Sequence, residues 1–590
     1  MDIASSTISP LGGQLKHSWE RIAEQKRQTE LAKIPSEWVL APAVVAEAKK
    51  LPSLTDPPFI ESLLDPETCR ITALDATELL QQMGSGKLAA VQVVTAFCKR
   101  AAIAHQVTQN LLEIGFDIAI RRAKELDEYF EANDQLVGPL HGLPFTLKDQ
   151  FHVKGLETSM GYVGWVNTFE GLKGTNKERN FESELIREFN MLGAVVIGKV
   201  LCTNDTCLSS GTRARHTLYW ADARTMNTVM TDNSGTEYMG EGVMQALRGS
   251  VFGIGTDIGG SVSMPASYNG IFSLKPSNGR ISMKGVAGPS PGQQIMPAVA
   301  GIMGVSIATI RLVLKSLLST EPWLSDPYLV PIPWRETEEH HAESGKPGEP
   351  YRPAFGIMEN DGVVTPHPPV QRALKAVKDA LSKRGHKMVP WEPPSNLESE
   401  AIHGQIARGD GCADVWEVLR LSGEPEVHEI KGLFDVDGPR DPLPLLKYQE
   451  IVAHMKDYRN RYQEYWMSMA EKSGNGKPVD AFISPVTVTA GLLPDKFFYG
   501  GYLSCVNVLD LPAVVVPVLF ADKSIDEVDE NFQPVSAIDK TNMDAYDAEA
   551  YHGSPTAVLV VGRRLCEEKV LSLAQMVVEA LHGDRPGSDS

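Results

Sequence analysis

Residues 242–280 read GVMQALRGSVFGIGTDIGGSVSMPASYNGIFSLKPSNGR, a stretch of short apolar runs separated by glycines. Such runs are typical of buried strands that end in loops. A helical pattern precedes them at 182–193, ESELIREFNMLG, and its final glycine is a common C-cap. Strands that alternate with helices predict an α/β sheet covered by helices on both faces.

The same alternation continues towards the C-terminus. Apolar runs predict strands at 481–491, 511–520 and 556–565, and helical periodicity predicts helices at 369–386 and 445–470. These elements extend the predicted sheet well beyond its glycine-rich centre.

An amphipathic helical pattern at 14–34 stops before Pro35. We expect this helix to pack either on the body of the protein or on a second subunit, so the sequence is compatible with a homodimer.

The composition limits the class of protein. The chain has 590 residues, 42% of them hydrophobic, and a formal net charge of −19. This length can bury a sizeable core, and the acidic charge argues against nucleic acid and anionic membranes as partners. We find neither a signal-peptide pattern nor an apolar run of the ~20 residues that span a membrane. Seven scattered cysteines are typical of reduced thiols, so we expect a cytoplasmic protein.

Motifs for cofactors and metals are incomplete. QMGSGKL at 82–88 lacks the first glycine and the final hydroxyl residue of a phosphate-binding loop. GIGTDIGG at 253–260 has Ile258 where a dinucleotide fingerprint needs its third glycine. Histidines at zinc-protease spacing are lacking as well. We therefore expect no cofactor and no metal.

Two segments carry residues that are able to do chemistry. In GTDIGGS (255–261) the glycines let backbone amides turn towards one point, beside the hydroxyl of Ser261, as in acyl-transfer sites. On this loop alone, a tight turn with a capping serine is the simpler interpretation. In GPLHGLPFTLKDQF (138–151) an apolar strand ends in Lys148. Such a lysine is usually a surface residue and becomes a base only where its pKa is lowered.

Together the two segments resemble the hallmarks of the amidase signature family. GLPFTLKD is similar to its lysine motif, and GTDIGGSVSMP is similar to its serine motif. The resemblance spans about residues 60–580 and continues in TSMGYVGW, NGIFSLKPSNGR, DAFISPV, NVLDLPAVVVPV and SPTAVLVVGRRLCEEKVL. KIPSEWVL near the N-terminus resembles the fungal acetamidase and fatty acid amide hydrolase-like branch.

The resemblance implies one α/β/α unit around a large mixed twisted sheet at 71–580, with a helical extension at 1–70 and a disordered tail at 581–590. It also implies a Ser–Ser–Lys triad in which Ser261 is the nucleophile, Lys148 is the base and a second serine bridges them. The implied reaction is hydrolysis of a small-molecule amide through an acyl-enzyme. The implied oxyanion donors are the amides of Ile258, Gly259 and Gly260.

The bridging serine is missing from the matching stretch. Residues 240–242 align with the end of the family motif G-G-S-S-G-G-E, and in that register Glu237 replaces the bridging serine. A carboxylate within about 4–6 Å of Lys148 would favour the ammonium form, which cannot act as a base. Ser263 stands where the family has an arginine, so we expect Asp257 to lack an ionic partner.

Three hypotheses follow from this exchange. In the first, Glu237 accepts the proton from Ser261 while Lys148 positions it. In the second, Ser234 or Thr236 moves into the bridging place. In the third, acyl chemistry is lost. The pocket then catalyses a non-hydrolytic step on an amide-containing metabolite, such as dehydration, cyclisation or isomerisation, or only binds one.

The partner implied by every hypothesis is a small-molecule amide. Ser209 and Ser210 fall in a segment that contacts substrate in the family. Tyr238 and Met239 replace small residues beside the relay and are expected to narrow the pocket. Apolar candidates for the pocket walls are Met160, Trp416 and Phe434.

Overall fold

A computed structural model describes residues 18–200, 240–339, 352–424, 438–491 and 499–583, apart from residues 49, 52, 56, 57 and 289. Within these ranges, eleven strands form one sheet. The strands are β1 (Leu111–Ile114), β2 (Pro144–Lys148), β3 (Val195–Val200), β4 (Phe252–Asp257), β5 (Phe272–Lys275), β6 (Val299–Gly304), β7 (Ala354–Ile357), β8 (Lys387–Pro390), β9 (Ala481–Pro485), β10 (Ala513–Phe520) and β11 (Pro555–Val561).

Helices surround this sheet. In the described ranges they are α1 (Ser18–Leu31), α2 (Pro42–Ala48), α3 (Pro66–Ala73), α4 (Ala76–Gly84), α5 (Ala90–Thr108), α6 (Phe116–Asn133), α7 (Glu184–Leu192), α8 (Gly240–Ala246), α9 (Ser263–Tyr268), α10 (Ile307–Ser319), α11 (Glu336–Glu339), α12 (Pro368–Lys383), α13 (Asn396–Ala407), α14 (Ala413–Ser422), α15 (Leu445–Ser468), α16 (Gly501–Val508), α17 (Ala537–Asp544), α18 (Ala548–Tyr551) and α19 (Glu567–His582). None of these helices is both long and apolar enough to cross a membrane.

The sheet is mixed, as predicted. Its strand order is β1-β3-β2-β4-β6-β5-β10-β11-β9-β7-β8. β2 is parallel to its neighbours β3 and β4, and β7 is parallel to β8 and β9. The other pairs are antiparallel. The parallel pairs matter for function, because they bring the carboxyl ends of β2 and β4 to one edge.

Helices cover both faces of the sheet, which confirms the predicted α/β layers. Successive side chains of a strand point to opposite faces. Val514 and Val516 of β10 pack in one core cluster with residues of α12 and α19, whereas Val515 packs in a second cluster with residues of α15 and α16. The strand is buried on both sides, so its sequence is a continuous apolar run.

Two predicted elements differ in extent from the structure. The described part of the predicted N-terminal helix is α1, which packs on the body through Trp19 against Leu112 and Val163. The strand predicted at 481–491 ends at Pro485, because a proline has no N–H to continue the ladder. The boundaries at residues 70 and 580 stay predictions, and residues 584–590 of the predicted tail lie outside the described ranges.

Candidate active site

Lys148 and Ser261 lie at the same edge of the sheet. Lys148 is the last residue of β2, and Ser261 follows β4 in the loop that leads into α9. Since β2 and β4 are parallel neighbours, both side chains leave the sheet at its carboxyl edge, where α/β proteins usually build their sites. Both are buried, with only 5% of Lys148 and 8% of Ser261 exposed.

A chain of polar groups holds the lysine. The Lys148 Nζ donates to the Thr256 Oγ1 at 2.8 Å, and the Thr256 hydroxyl donates to the Gln150 Oε1. The Gln150 Nε2 in turn donates to the Ala287 carbonyl at 3.2 Å. A hydroxyl has one proton to give, so Thr256 accepts from the lysine and donates to the glutamine. This chain holds the Lys148 amine on the β4 side of its own strand.

The residue that follows the lysine is fixed by a buried ion pair. The Asp149 Oδ1 lies 2.6 Å from the Lys199 Nζ, and neither side chain is exposed. The other oxygen of Asp149 accepts from the N–H groups of Ser159 at 3.0 Å and Met160 at 2.7 Å. The end of β2 is therefore rigidly placed, and the charge of Asp149 is compensated by a lysine other than Lys148.

Asp257 organises the serine loop. Its carboxylate accepts from the N–H groups of Gly260 at 2.8 Å and Val262 at 2.9 Å, and from the Asn507 Nδ2 at 3.0 Å. The Ser263 N–H adds a longer contact of 3.4 Å. The sequence predicted an unpaired aspartate here. In the structure, loop amides and one distant side chain satisfy the carboxylate instead of a cation.

The predicted oxyanion residues form the turn between Asp257 and Ser261. Gly260 has a φ of +114°, and a Cβ there would lie 2.4 Å from the Leu503 Cδ1. Its N–H already donates to Asp257, so an oxyanion would have to share it. The Ile258 carbonyl accepts a hydrogen bond from the His403 Nε2 at 2.8 Å.

The nucleophile itself is available. Among the described residues, the Ser261 Oγ has no hydrogen-bond partner, although the atom is buried. A buried hydroxyl usually finds a partner, so this one is typical of a functional group.

Glu241 is a buried carboxyl group at the start of α8. It accepts from the Thr146 Oγ1 at 2.8 Å and from the Gln245 Nε2 at 3.4 Å. Burial raises the pKa of Glu241 to about 8. Glu241 is therefore mostly protonated at neutral pH and carries little negative charge.

The predicted relay and substrate residues lie outside the described ranges. They are Ser209, Ser210, Ser234, Thr236, Glu237, Tyr238 and Met239, together with the proposed wall residue Phe434. Their roles stay predictions.

A cavity of about 650 Å³ borders Gln150 and Ile258. This volume is within the range of small-molecule sites, about 300–1,000 Å³. Its walls are mainly apolar, with Lys284 and Asp326 as charged members. Among the apolar members are Ile281, Met283, Val286, Ala287 and Leu329. The predicted wall residues Met160 and Trp416 do not line it and instead pack in an apolar cluster with Ala287.

Sequence reasoning missed four residues of this site. Gln150 lies two residues after Lys148 and Thr256 lies five residues before Ser261, so their places inside the two motif segments were a usable signal. His403 and Asn507 lie in ordinary helical sequence, which gave no such signal.

Within the described residues, no three His, Cys, Asp or Glu side chains are grouped to hold a metal ion.

Comparison with known proteins was made at both sequence and structure level. The family model described as Amidase matches residues 92–571. An acetamidase from Aspergillus oryzae is 38% identical over 96% of this chain and 99% of its own length, and an acetamidase from Emericella nidulans gives the same values. A solved structure of fatty acid amide hydrolase superposes with a TM-score of 0.84 at 28% identity, covering 96% of this chain and 95% of that one.

Proposed function

The chain belongs to the amidase family, as its motifs predicted, and is a hydrolase of carbon–nitrogen bonds; from this premise we propose that it cleaves a small-molecule amide through an acyl-enzyme on Ser261. The observation that carries the proposal is the shared sheet edge, where Lys148 and the Ser261 loop are both buried. Ile258 of that loop and Gln150, two residues after Lys148, line a cavity of small-molecule size.

The proposed reaction has two steps. The Ser261 Oγ attacks the amide carbonyl carbon and gives its proton to the relay, while loop N–H groups stabilise the oxyanion. The C–N bond then breaks, and the leaving amine takes a proton from the relay. Water next attacks the acyl ester, which releases the acid and restores the serine proton.

The relay between Ser261 and Lys148 is the altered part of the proposal. In the sequence register Glu237 replaces the bridging serine, and a carboxylate close to Lys148 would keep the lysine in its ammonium form. We propose that Glu237 accepts the proton and that Lys148 orients it. Bridging by Ser234 or Thr236, and non-hydrolytic chemistry, are the alternatives that the experiment must separate.

Covalent labelling tests the nucleophile. We expect a fluorophosphonate probe to modify Ser261, as mapped by mass spectrometry, because an activated serine attacks phosphorus as it attacks a carbonyl. Ser261→Ala should abolish both labelling and amide turnover. Ser263→Ala is the matched control, since this serine is two residues away and also buried but is not the predicted nucleophile. Turnover without any labelling of Ser261 would contradict the acyl-enzyme.

The same assay separates the relays. Loss of labelling in Glu237→Gln, with retention in Ser234→Ala and Thr236→Val, is expected for Glu237 as proton acceptor. Unlabelled wild-type protein that still converts an amide-containing metabolite without hydrolysis would favour the non-hydrolytic alternative.

We also propose a cytoplasmic location. The described cysteines, which are Cys69, Cys98, Cys412, Cys505 and Cys566, are unpaired, as expected in a reducing compartment. Cell fractionation would test the location. The homodimer stays a prediction for light scattering, and because α1 packs on its own body, that helix gives it no support.

A further inference from the structure

His403 contacts the turn that precedes the nucleophile. It lies on α13 and is 1% exposed, between Ile402 and Ile406, which are equally buried in the core. Its Nε2 is 2.8 Å from the carbonyl oxygen of Ile258, a residue 145 positions earlier in the chain. The core packing of α13 therefore fixes a polar side chain against the loop that carries Ser261.

The contact shows which ring nitrogen of His403 carries the hydrogen. A carbonyl oxygen only accepts, so the His403 Nε2 must carry the hydrogen. Burial lowers the pKa of His403, and the imidazole is therefore neutral at neutral pH. Its Nδ1 has no hydrogen-bond partner within the described residues. His403 is thus a neutral donor whose hydrogen-bond partner among the described residues is the Ile258 carbonyl.

The contact with the Ile258 carbonyl also orients the N–H group of Gly259. The Ile258 carbonyl and the Gly259 N–H belong to the same peptide group, which is planar and trans. Their bonds point in opposite directions, so a hydrogen bond that holds the carbonyl towards α13 also directs the Gly259 N–H away from α13. Glycine has no side chain that would otherwise restrict this peptide.

We propose that His403 is a positioning residue of the oxyanion hole, which it sets by holding the Ile258–Gly259 peptide in the orientation that presents the Gly259 N–H to the substrate. The inference rests on the proposed function, because it needs Ser261 to pass through an oxyanion. His403 does not touch the substrate and exchanges no proton with it.

Asn507 supports the same loop from α16. Its Nδ2 donates to Asp257, whose carboxylate binds the Gly260 N–H. His403 thus orients the peptide of Gly259, and Asn507 holds the carboxylate that binds the Gly260 N–H. Both side chains lie more than 140 positions away in the sequence. Preorganised donors of this kind lower the barrier because they need not reorient when charge develops.

The test compares two substitutions of the histidine. His403→Leu removes the donor, whereas the amide nitrogen of His403→Gln reaches about as far as Nε2 and can still donate. We measure the rate of fluorophosphonate labelling against probe concentration, which separates the limiting rate from the half-saturating concentration. The expected result is a fall of about 10- to 100-fold in the limiting rate for His403→Leu, with the half-saturating concentration unchanged and most of the rate restored in His403→Gln.

The controls separate this idea from its premise. His454→Leu is the matched variant, because His454 is an exposed histidine on α15 that pairs with Glu398 at 2.6 Å. It should label like the wild type. If His403→Leu does not fold, His403→Asn replaces it, since its amide is too short to reach Ile258.

Two results would overturn the inference while wild-type labelling at Ser261 keeps the proposed function intact. One is a limiting rate in His403→Leu equal to that of the wild type. The other is an equal loss in His403→Leu and His403→Gln, which would mean that the donor is irrelevant. Unlabelled wild-type protein would instead remove the premise.

Discussion

At the scale of single residues, Gly260 shows how little freedom the serine loop has. Its φ of +114° is a conformation that side chains other than glycine rarely adopt, and the space for a Cβ is taken by Leu503. The same residue gives its N–H to Asp257. Backbone conformation, packing and hydrogen bonding thus all act on one position next to the nucleophile.

We predict that Gly260→Ala lowers fluorophosphonate labelling and amide turnover by at least about 100-fold, because the loop must move to admit the methyl group. Gly362→Ala is the control, since Gly362 also has a positive φ, +73°, but open space around its Cβ position. The control should lose about 1 kcal/mol of stability and keep its activity. Near-normal labelling in Gly260→Ala would contradict a rigid loop.

At the scale of elements, α1 is joined to the body by a buried charge network. Lys26 on this helix contacts Glu30 at 2.7 Å, Glu157 at 3.0 Å and Glu113. Burial opposes the charge of Lys26, but the three carboxylates raise its pKa above the usual value. Burial raises the pKa of Glu113 to about 7. Lys33 also contacts Glu30 and Glu113, and Arg179 contacts Glu157. Lys26 is the cation of this cluster that contacts all three carboxyl groups.

Lys26→Met is expected to destabilise the protein by about 3–5 kcal/mol, because it removes the buried cation shared by three carboxyl groups, whereas Lys33 and Arg179 are more exposed and contact only some of them. Thermal unfolding and limited proteolysis near α1 would measure the loss. Lys375→Met provides the comparison: this lysine pairs with Asp379 on the surface, where such pairs contribute about 0.5 kcal/mol. An unfolding midpoint unchanged by Lys26→Met would mean that the carboxyls simply take up protons.

At the scale of the whole molecule, three buried carboxyl groups in separate places favour the protonated form. Burial raises the pKa of Glu113 to about 7 and the pKa values of Glu188 and Glu241 to about 8, from 4.5. Between pH 4.5 and these values, the folded state binds protons that the unfolded state does not. Stability contributed by these groups therefore falls as the pH rises.

Burial lowers the pKa values of His105 and His367 to about 4, and these histidines add stability as the pH rises to about 6.5. We therefore predict that the thermal unfolding midpoint decreases from about pH 7 to about pH 8 and that Glu188→Gln flattens this decrease. At pH 8 the substitution should stabilise the protein by about 1–3 kcal/mol, because it removes a carboxylate whose Oε1 is buried without a partner in the described residues. Glu125→Gln, at an exposed position on α6, should leave the slope unchanged. A midpoint that rises between about pH 7 and about pH 8 would contradict the assignment.

The sequence by itself determined the family, the alternation of strands and helices, and the positions of Lys148 and Ser261 at strand ends. These are local properties, because apolar runs form strands and glycines form the turn.

Only the tertiary structure decided which side chains support that loop. His403 and Asn507 reach it across 145 and 250 positions, and nothing in the periodicity of their helices distinguishes them from other buried polar residues. The tertiary structure also decided that α1 packs on the body. It further decided that Asp257, which was predicted to lack an ionic partner, is satisfied by loop amides and Asn507. Such contacts depend on how separate helices pack against the sheet, and that packing is a property of the whole fold rather than of any segment.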